Sequence, residues 1–397
     1  MHYFEKKAEV YKFNREKLLL GTQEKSSGLD DSYSNFETIC EWKTSNGQKY
    51  LEIFAPDYYN LGILLGESLY DKILSMKRLI QFFSLKLIWK GITYRKLQKI
   101  SKLYERFIPK YLRMEMLGIS DSILDIDYDD ILLQNCFMDI LYGYIIPNIS
   151  IDGELLRKLE LGCTSFGVIT QKGPLTAQNF DYSLFFKPTA TFVHLITPRL
   201  TEIFSLRLGA LLSLPIGMNN WGLSLRVNVV RSRKAGLISI PCSIMSRIAL
   251  ERCQDAEAFY SLQTKYGGTG SYNLLISDSQ RLIALEGLSN LIVREDILEN
   301  VVKSNTFLTK RFQNYLVDLK YSKTRQEYSE KRIQSLYKHG NGVISDKNLI
   351  KILSDNPIIC RENPIEPVTL AFLTNKYFGL GNPKENSLGL VPFQRGG

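Results

Sequence analysis

Near residue 163 the chain changes its apolar pattern, and this seam limits what the sequence can fold into. From about 58 to 145, apolar residues recur at helical three- and four-residue steps, as in YNLGILLGESLYDKILSMKRLIQFFSLKLIW. YRKLQKISKLYERFI ends before Pro109. DYDDILLQNCFMDILYGYII opens on acidic residues suited to a helix N-terminus and ends before Pro147. After 163 come short β-rich segments separated by Gly, Pro, Asn or Lys-Gly: TSFGVIT, LTAQNFDY, ATFVHLIT, EIFSLRLG and WGLSLRVNVV. A long helical stretch, SIMSRIALERCQDAEAFYSLQTKY, follows Pro241. Strands then resume in SYNLLISDS, RLIALEGL, NLIVREDI and NVVKSNTF, and a last helical run opens at RQEYSEKRIQSLYKHG. PVTLAFLTN and KYFGLGNP read as closing strands. Two groups of strands flanked by helices predict an α+β fold, with two sheets face to face between helical layers. Residues 1–48 are polar, with EKSSGLDDSYSN as loop, and read as an N-terminal extension.

Composition narrows the function classes. With 397 residues, 44% hydrophobic and 11% aromatic, the chain holds ample material for a packed core. The formal charge of +9 is spread along the chain without a run of basic residues, so a solvated basic surface is expected and no nucleic-acid partner. The start, MHYFEKKAEVYKF, lacks the apolar region of a signal peptide, and apolar stretches such as LIQFFSLKLIWKGI contain lysines and are too short to cross a bilayer. The expectation is a cytoplasmic protein with no membrane partner and its six cysteines as free thiols. The three histidines, His2, His194 and His339, stand apart from other metal ligands. No metal and no organic cofactor is expected.

LGCTSFGVITQKGPLTAQNFDYS (161–183) carries the chemistry. A thiol attacks only when a base assists it or its pKa is lowered. With histidine scarce, the remaining base is the α-amino group that Cys163 would own if the 162–163 peptide bond were broken. Its ordinary pKa of roughly 7.7–8.0 suits proton transfer near neutrality. Gly162 fits such a break, because a residue without Cβ exposes its carbonyl to the thiol. The hydroxyls of Thr164 and Ser165 could position the attack. One hairpin further, Asp181 would return beside Cys163 and orient the new amine.

These residues resemble a family. GCTSFGV…TAQNFDYS is similar to the opening of the mature chain in acyltransferases of the penicillin-acyltransferase type. These are N-terminal-nucleophile hydrolases, a group that also includes penicillin V acylase, bile-salt hydrolase and acid ceramidase. YYNLGILLGESL, GMNNWGLSLRVNVV and SYNLLISDSQRLIALE extend the resemblance over roughly 50–390. It implies a four-layer αββα sandwich, a precursor that cleaves itself between Gly162 and Cys163, and action on a linear amide or an acyl thioester. It implies a helical pro-segment over 49–162 that stays associated, as a small subunit, with a core over 163–397. Residue by residue, Cys163 matches the nucleophile, Asp181 the aspartate near it, and Asn305 the asparagine that donates to the oxyanion. Asn228 matches a second pocket asparagine, and Arg332 a late-helix arginine. Two departures stand out. Gln178 occupies the position where the bile-salt hydrolase and ceramidase branches have arginine, pointing away from their substrates. Phe180 and Tyr182 replace tryptophans, keeping aromatic character.

Two other classes are weighed against this. One is an uncleaved family member, with Cys163 buried and inert, serving as a binding or scaffold protein. The other is a basic nucleic-acid-binding module, which the scattered charge does not favour.

Overall fold

The computed structural model describes residues 38–359 apart from 46–47, 150–160, 172, 183, 318–319, 341–343, 345, 354 and 356–357, together with 371–374 and 389–391. The strands in chain order are β1 (Ile39–Ser45), β2 (Gln48–Phe54), β3 (Leu161–Thr170), β4 (Gly173–Tyr182), β5 (Ala190–Ile196), β6 (Glu202–Leu208), β7 (Ile216–Asn219), β8 (Ser224–Val229), β9 (Ser271–Ser277), β10 (Leu282–Leu288), β11 (Leu291–Asp296), β12 (Asn300–Lys303), β13 (Ala371–Thr374) and β14 (Gly389–Val391). The longer helices are α1 (Tyr58–Ser68), α2 (Tyr70–Lys86), α3 (Tyr94–Glu105), α4 (Lys110–Asp121), α5 (Tyr128–Ile140), α6 (Cys242–Arg252), α7 (Ala256–Tyr266), α8 (Lys320–His339) and α9 (Asp346–Leu353).

The strands form two sheets, a nine-stranded one in the order β1-β2-β5-β6-β7-β8-β9-β10-β11 and a five-stranded one in the order β12-β3-β4-β13-β14. Every described pair is antiparallel except β2 with β5, whose parallel pairing requires the long crossover supplied by α1 to α5 and the β3–β4 hairpin. Apolar residues of β5 and β6 pack with α1 to α6 in the largest core. Phe166, Val168, Leu175 and Ala177 of the small sheet pack on Ile333 of α8 and Leu349, Ile352 and Leu353 of α9. The other faces meet each other, with Thr176 bonded to Ser224 and Gln178 to the Val227 carbonyl across the gap. The order is helices, sheet, sheet, helices, the four-layer sandwich expected from the two groups of strands.

Residues before 163 are built into this frame. The β1–β2 hairpin forms one edge of the large sheet, so residues on both sides of position 48 share a sheet. Helices α1 and α4 cross closely at two glycines. A Cβ on Gly62 would lie 2.1 Å from the Glu115 carbonyl oxygen, and one on Gly118 would lie 2.1 Å from that of Tyr59. Of the closing strands expected, β13 lies within PVTLAFLTN, whereas KYFGLGNP lies outside the described residues; the outer partner of β13 is β14.

His194 ties the edge hairpin to the rest of the sheet. Its Nδ1 lies 3.0 Å from a Glu52 oxygen of β2 and its Nε2 3.1 Å from one of Glu202 at the start of β6, while Lys43 of β1 also bonds Glu52. Burial alone would lower the His194 pKa, but Glu202 and Glu52 outweigh it and raise it above the ordinary 6.5. The His194 bond, with Lys43 behind it, holds Glu52 at about 2, below the ordinary 4.5. A raised imidazolium stabilises the fold below its unfolded pKa and loses that contribution as pH rises through the folded value. A lowered carboxyl contributes above 4.5 and loses its share as pH falls toward 2. The cluster is therefore strongest between about 4.5 and 6.5. Urea unfolding at pH 5.5 and pH 8 is expected to show lower stability at pH 8, and His194→Gln is expected to remove most of that difference.

Candidate active site

The register of one hairpin builds the site. Chain reversal between Thr170 and Gly173, where Gly173 takes φ +101°, pairs Thr170 with Gly173 and hence Gly162 with Asp181, Cys163 with Phe180 and Ser165 with Gln178. Side chains alternate across a strand, and directly paired residues share a face. Cys163, Ser165 and Gln178 accordingly look into the space between the sheets. Gly162, Thr164, Asn179 and Asp181 lie on the face that carries Phe166 and Ala177 onto α8 and α9. Asp181 is thus offset by one residue from the position directly opposite Cys163, and it is fully buried.

The peptide nitrogen of Cys163 donates to Asn305 Oδ1 at 2.7 Å, and Asn305 Nδ2 donates to the Val229 carbonyl at 2.7 Å. Asn305 follows the end of β12 and is only partly buried, so it stands where the site nears solvent. A residue absent from the sequence reading, Arg325 on α8, joins these groups. Its Nη1 donates to the Cys163 carbonyl at 2.6 Å and to Thr164 Oγ1 at 2.9 Å, and its Nη2 donates to Asn305 Oδ1 at 2.6 Å. Arg325 lies in line with buried Ser329 and Ile333 at four-residue steps, on the face of α8 that meets the small sheet. That spacing was the signal available in RQEYSEKRIQSLYKHG. Arg332, one position off the stripe, is not brought to the site: its Nε bonds Asp355 at 2.7 Å on a partly exposed face.

Asn228 holds the floor of the site. Its Oδ1 accepts from Ser165 Oγ at 2.6 Å and from Gln178 Nε2 at 3.2 Å, while its Nδ2 donates to the Lys303 carbonyl at 2.5 Å. Ser165, Gln178 and Asn228 are all nearly inaccessible to solvent. These bonds in a sheet–sheet interface fix geometry, because each is made in a low dielectric; among the described residues only Gln178 Oε1 of this group is left without a partner.

The Cys163 thiol is pushed up to about 12, chiefly by burial and then by the Asp181 charge; Arg325, Asn305 and Gln178 oppose the rise. In the unbroken chain the sulfur is a protonated thiol with 1% exposure. Among the described residues no group of histidine, cysteine, aspartate and glutamate side chains could hold a metal. No described helix is long and apolar enough to cross a membrane.

The site thus lies between two sheets that are themselves flanked by helical layers, with a buried cysteine near the head of an inner strand beside an asparagine and an arginine. Residues 168–363, just under half of the chain, match the family model described as acyl-coenzyme A:6-aminopenicillanic acid acyl-transferase. The matched segment spans Asp181, Asn228, Asn305 and Arg325 and begins five residues after Cys163, so the place of the cysteine rests on geometry. Among solved structures, it resembles a Caenorhabditis elegans N-acylethanolamine-hydrolyzing acid amidase (NAAA) ortholog at 13% identity and a TM-score of 0.40, over 54% of this chain and 92% of that one. No curated protein matches.

Proposed function

We propose that this chain is the precursor of an N-terminal-cysteine amidohydrolase or acyltransferase that divides itself between Gly162 and Cys163. The observation that carries the reading is the bond from the Cys163 nitrogen to Asn305, with Arg325 gripping both Asn305 and the Cys163 carbonyl. Cys163, which supplies both the nitrogen of the susceptible peptide and the thiol, is thereby held on both sides of its Cα. Attack of Sγ on the Gly162 carbonyl forms a thioester while the 162–163 C–N bond breaks and the nitrogen takes the thiol proton. Water then cleaves the thioester, leaving a carboxylate on Gly162 and a free thiol and α-amine on Cys163.

In the mature enzyme the amine takes the thiol proton as sulfur attacks an amide or thioester carbonyl, and then delivers it to the leaving group. Asn305 Oδ1 keeps hold of the nitrogen. The Asn305 amide carries two N–H donors, of which Val229 uses one, and the other serves the oxyanion together with a backbone N–H. Asp181 faces the new amine with an opposite charge when that amine is protonated. Water as acceptor completes hydrolysis; an amine acceptor completes transfer. Residues 38–149 stay bound after the cut, since their hairpin and helices belong to the main core.

Intact mass and N-terminal sequencing of the purified protein test this. A second chain beginning Cys-Thr-Ser-Phe supports it; one uncut chain that acts on no amide or thioester overturns it. The buried, protonated thiol favours a second reading, in which the chain stays whole and binds a ligand without chemistry.

Arg325→Met removes three hydrogen bonds, to the Cys163 carbonyl, Thr164 Oγ1 and Asn305 Oδ1, and a charge that lowers the thiol pKa. Bonds to charged groups contribute about 1.5–3 kcal/mol each, so cleavage is expected to slow by at least on the order of 100-fold, with its pH dependence moved upward. Arg325→Lys, keeping the charge and part of the bonding, is expected to fall between. Time courses of chain division across pH check both variants.

A further inference from the structure

Away from Cys163, an open hollow of about 520 Å³ lies where β2 and β5 begin and where α1 meets α2. Three lysines from three separate elements line it: Lys49 on β2, Lys72 in the first turn of α2, and Lys187 in the turn between β4 and β5. Trp42 and Tyr70, each about 40% exposed, flank it with planar apolar surface. Thr191, in the wall on β5, is only 5% exposed, and its hydroxyl has no hydrogen-bond partner among the described residues. Glu67 and Asp71 also line the hollow, leaving a formal excess of one positive charge.

Lys72 donates one bond to the Ala190 carbonyl at 2.7 Å, which leaves two of its three N–H groups for another acceptor. Burial and then the neighbouring Lys49 charge lower its pKa, while Asp71 raises it, so an anion placed between the lysines would relieve their repulsion. A buried hydroxyl without a partner is costly in a folded chain and marks a place where an acceptor is missing. A phosphoryl group supplies both needs: two negative charges for the ammonium groups, and oxygens that accept from the hydroxyl.

We infer that this hollow is a binding site for a small phosphorylated molecule, its phosphoryl group held by Lys49, Lys72, Lys187 and the Thr191 hydroxyl and its planar part lying against Trp42 or Tyr70. The site is built from both sides of residue 163 and does not depend on the chemistry proposed at Cys163.

The test is calorimetric titration of the full chain with inorganic phosphate, pyrophosphate and adenosine monophosphate at constant ionic strength, with sulfate as control. Saturable binding of phosphate or its esters in preference to sulfate is expected. Lys187→Ala and Thr191→Val are each expected to weaken it about tenfold, as loss of one charge-assisted or buried bond does. Lys187 is exposed, so that variant folds whatever the fate of Thr191→Val. Tighter binding of the nucleotide than of phosphate assigns an ester with a planar group; equal binding assigns free phosphate. Absence of saturable binding by all three probes, equal binding of sulfate, or unchanged affinity in Lys187→Ala overturns the inference.

Discussion

Cys163→Ala is expected to remain one undivided polypeptide under conditions in which the parent chain separates into two, and to show no turnover of any amide or thioester that the parent accepts. Both losses have a single cause. In the proposed mechanism the thiol is the nucleophile in the cut, and the amine released by the cut is the base in catalysis, so without sulfur neither step begins. Removing a nucleophile that acts together with its base typically costs on the order of 10⁶ in kcat, because the two do not contribute independently. Cys163→Ser separates the roles. A hydroxyl ionises far less readily than a thiol, so division is expected to be slow and turnover low, with the fold unchanged because Ser differs from Cys by one small atom in a fully packed site. Intact mass at intervals after purification reads the first step, and release of product from a panel of acylated amines reads the second. If Cys163→Ala and the parent are equally whole and equally inert, the nucleophilic role proposed for Cys163 is overturned.

Much of this site was legible before any coordinates because it is local. Gly-Cys-Thr, the turn near Gly173 and the aromatic-flanked Asp181 lie on one hairpin, and alternation along two strands governs what they can face. The one-residue offset that carries Asp181 to the helix side of the sheet was not legible. It depends on Thr170 pairing with Gly173, and a turn one residue longer would have changed every pairing. Arg325 escaped for another reason: charged residues surround it in α8, and only its alignment with Ser329 and Ile333 shows that it faces inward. The β1–β2 hairpin carried its own signal, Asn46-Gly47 between strand-length segments. That signal was obscured by Glu41, Lys43, Lys49 and Glu52, charges that an edge hairpin tolerates: Glu41, Lys43 and Glu52 share one face, and Lys49 lies on the other beside Trp42. Asn305 could be matched as a residue, but its bond to the Cys163 nitrogen comes from 142 residues away in the chain and is settled only by packing.

Glu115→Gln is expected to be the most destabilising conservative change in the protein, at about 3–5 kcal/mol, the usual result of removing one member of a buried ion network. Glu115 lies on α4 with no solvent exposure. Arg247 Nη1 of α6 lies 2.9 Å from its carboxylate and Arg207 Nη2 of β6 lies 3.4 Å from it. Arg247 Nε also reaches Glu251 at 3.1 Å, and Glu251 accepts from the Tyr58 hydroxyl at the start of α1. Burial pulls Arg207 down to about 10, and Glu115 holds it up against that and against the Arg247 charge. Glutamine preserves shape and part of the bonding but leaves two buried guanidinium groups, Arg207 and Arg247, with one carboxylate, Glu251, which pairs with Arg247. Tyr58 and Glu115 lie before residue 163, whereas Arg207, Arg247 and Glu251 lie after it. In a divided chain the network therefore spans the two fragments, and its loss is expected to lower the urea concentration at which they separate. Urea titration followed by size-exclusion chromatography reads both effects. Replacing Glu115, Arg207, Arg247 and Glu251 together by apolar residues of matching volume is expected to recover most of the loss, because burying matched charges gives little net stability while burying unmatched ones is costly. Failure of that recovery would mean that these charges fix how the fragments fit together and contribute more than their pairing energy.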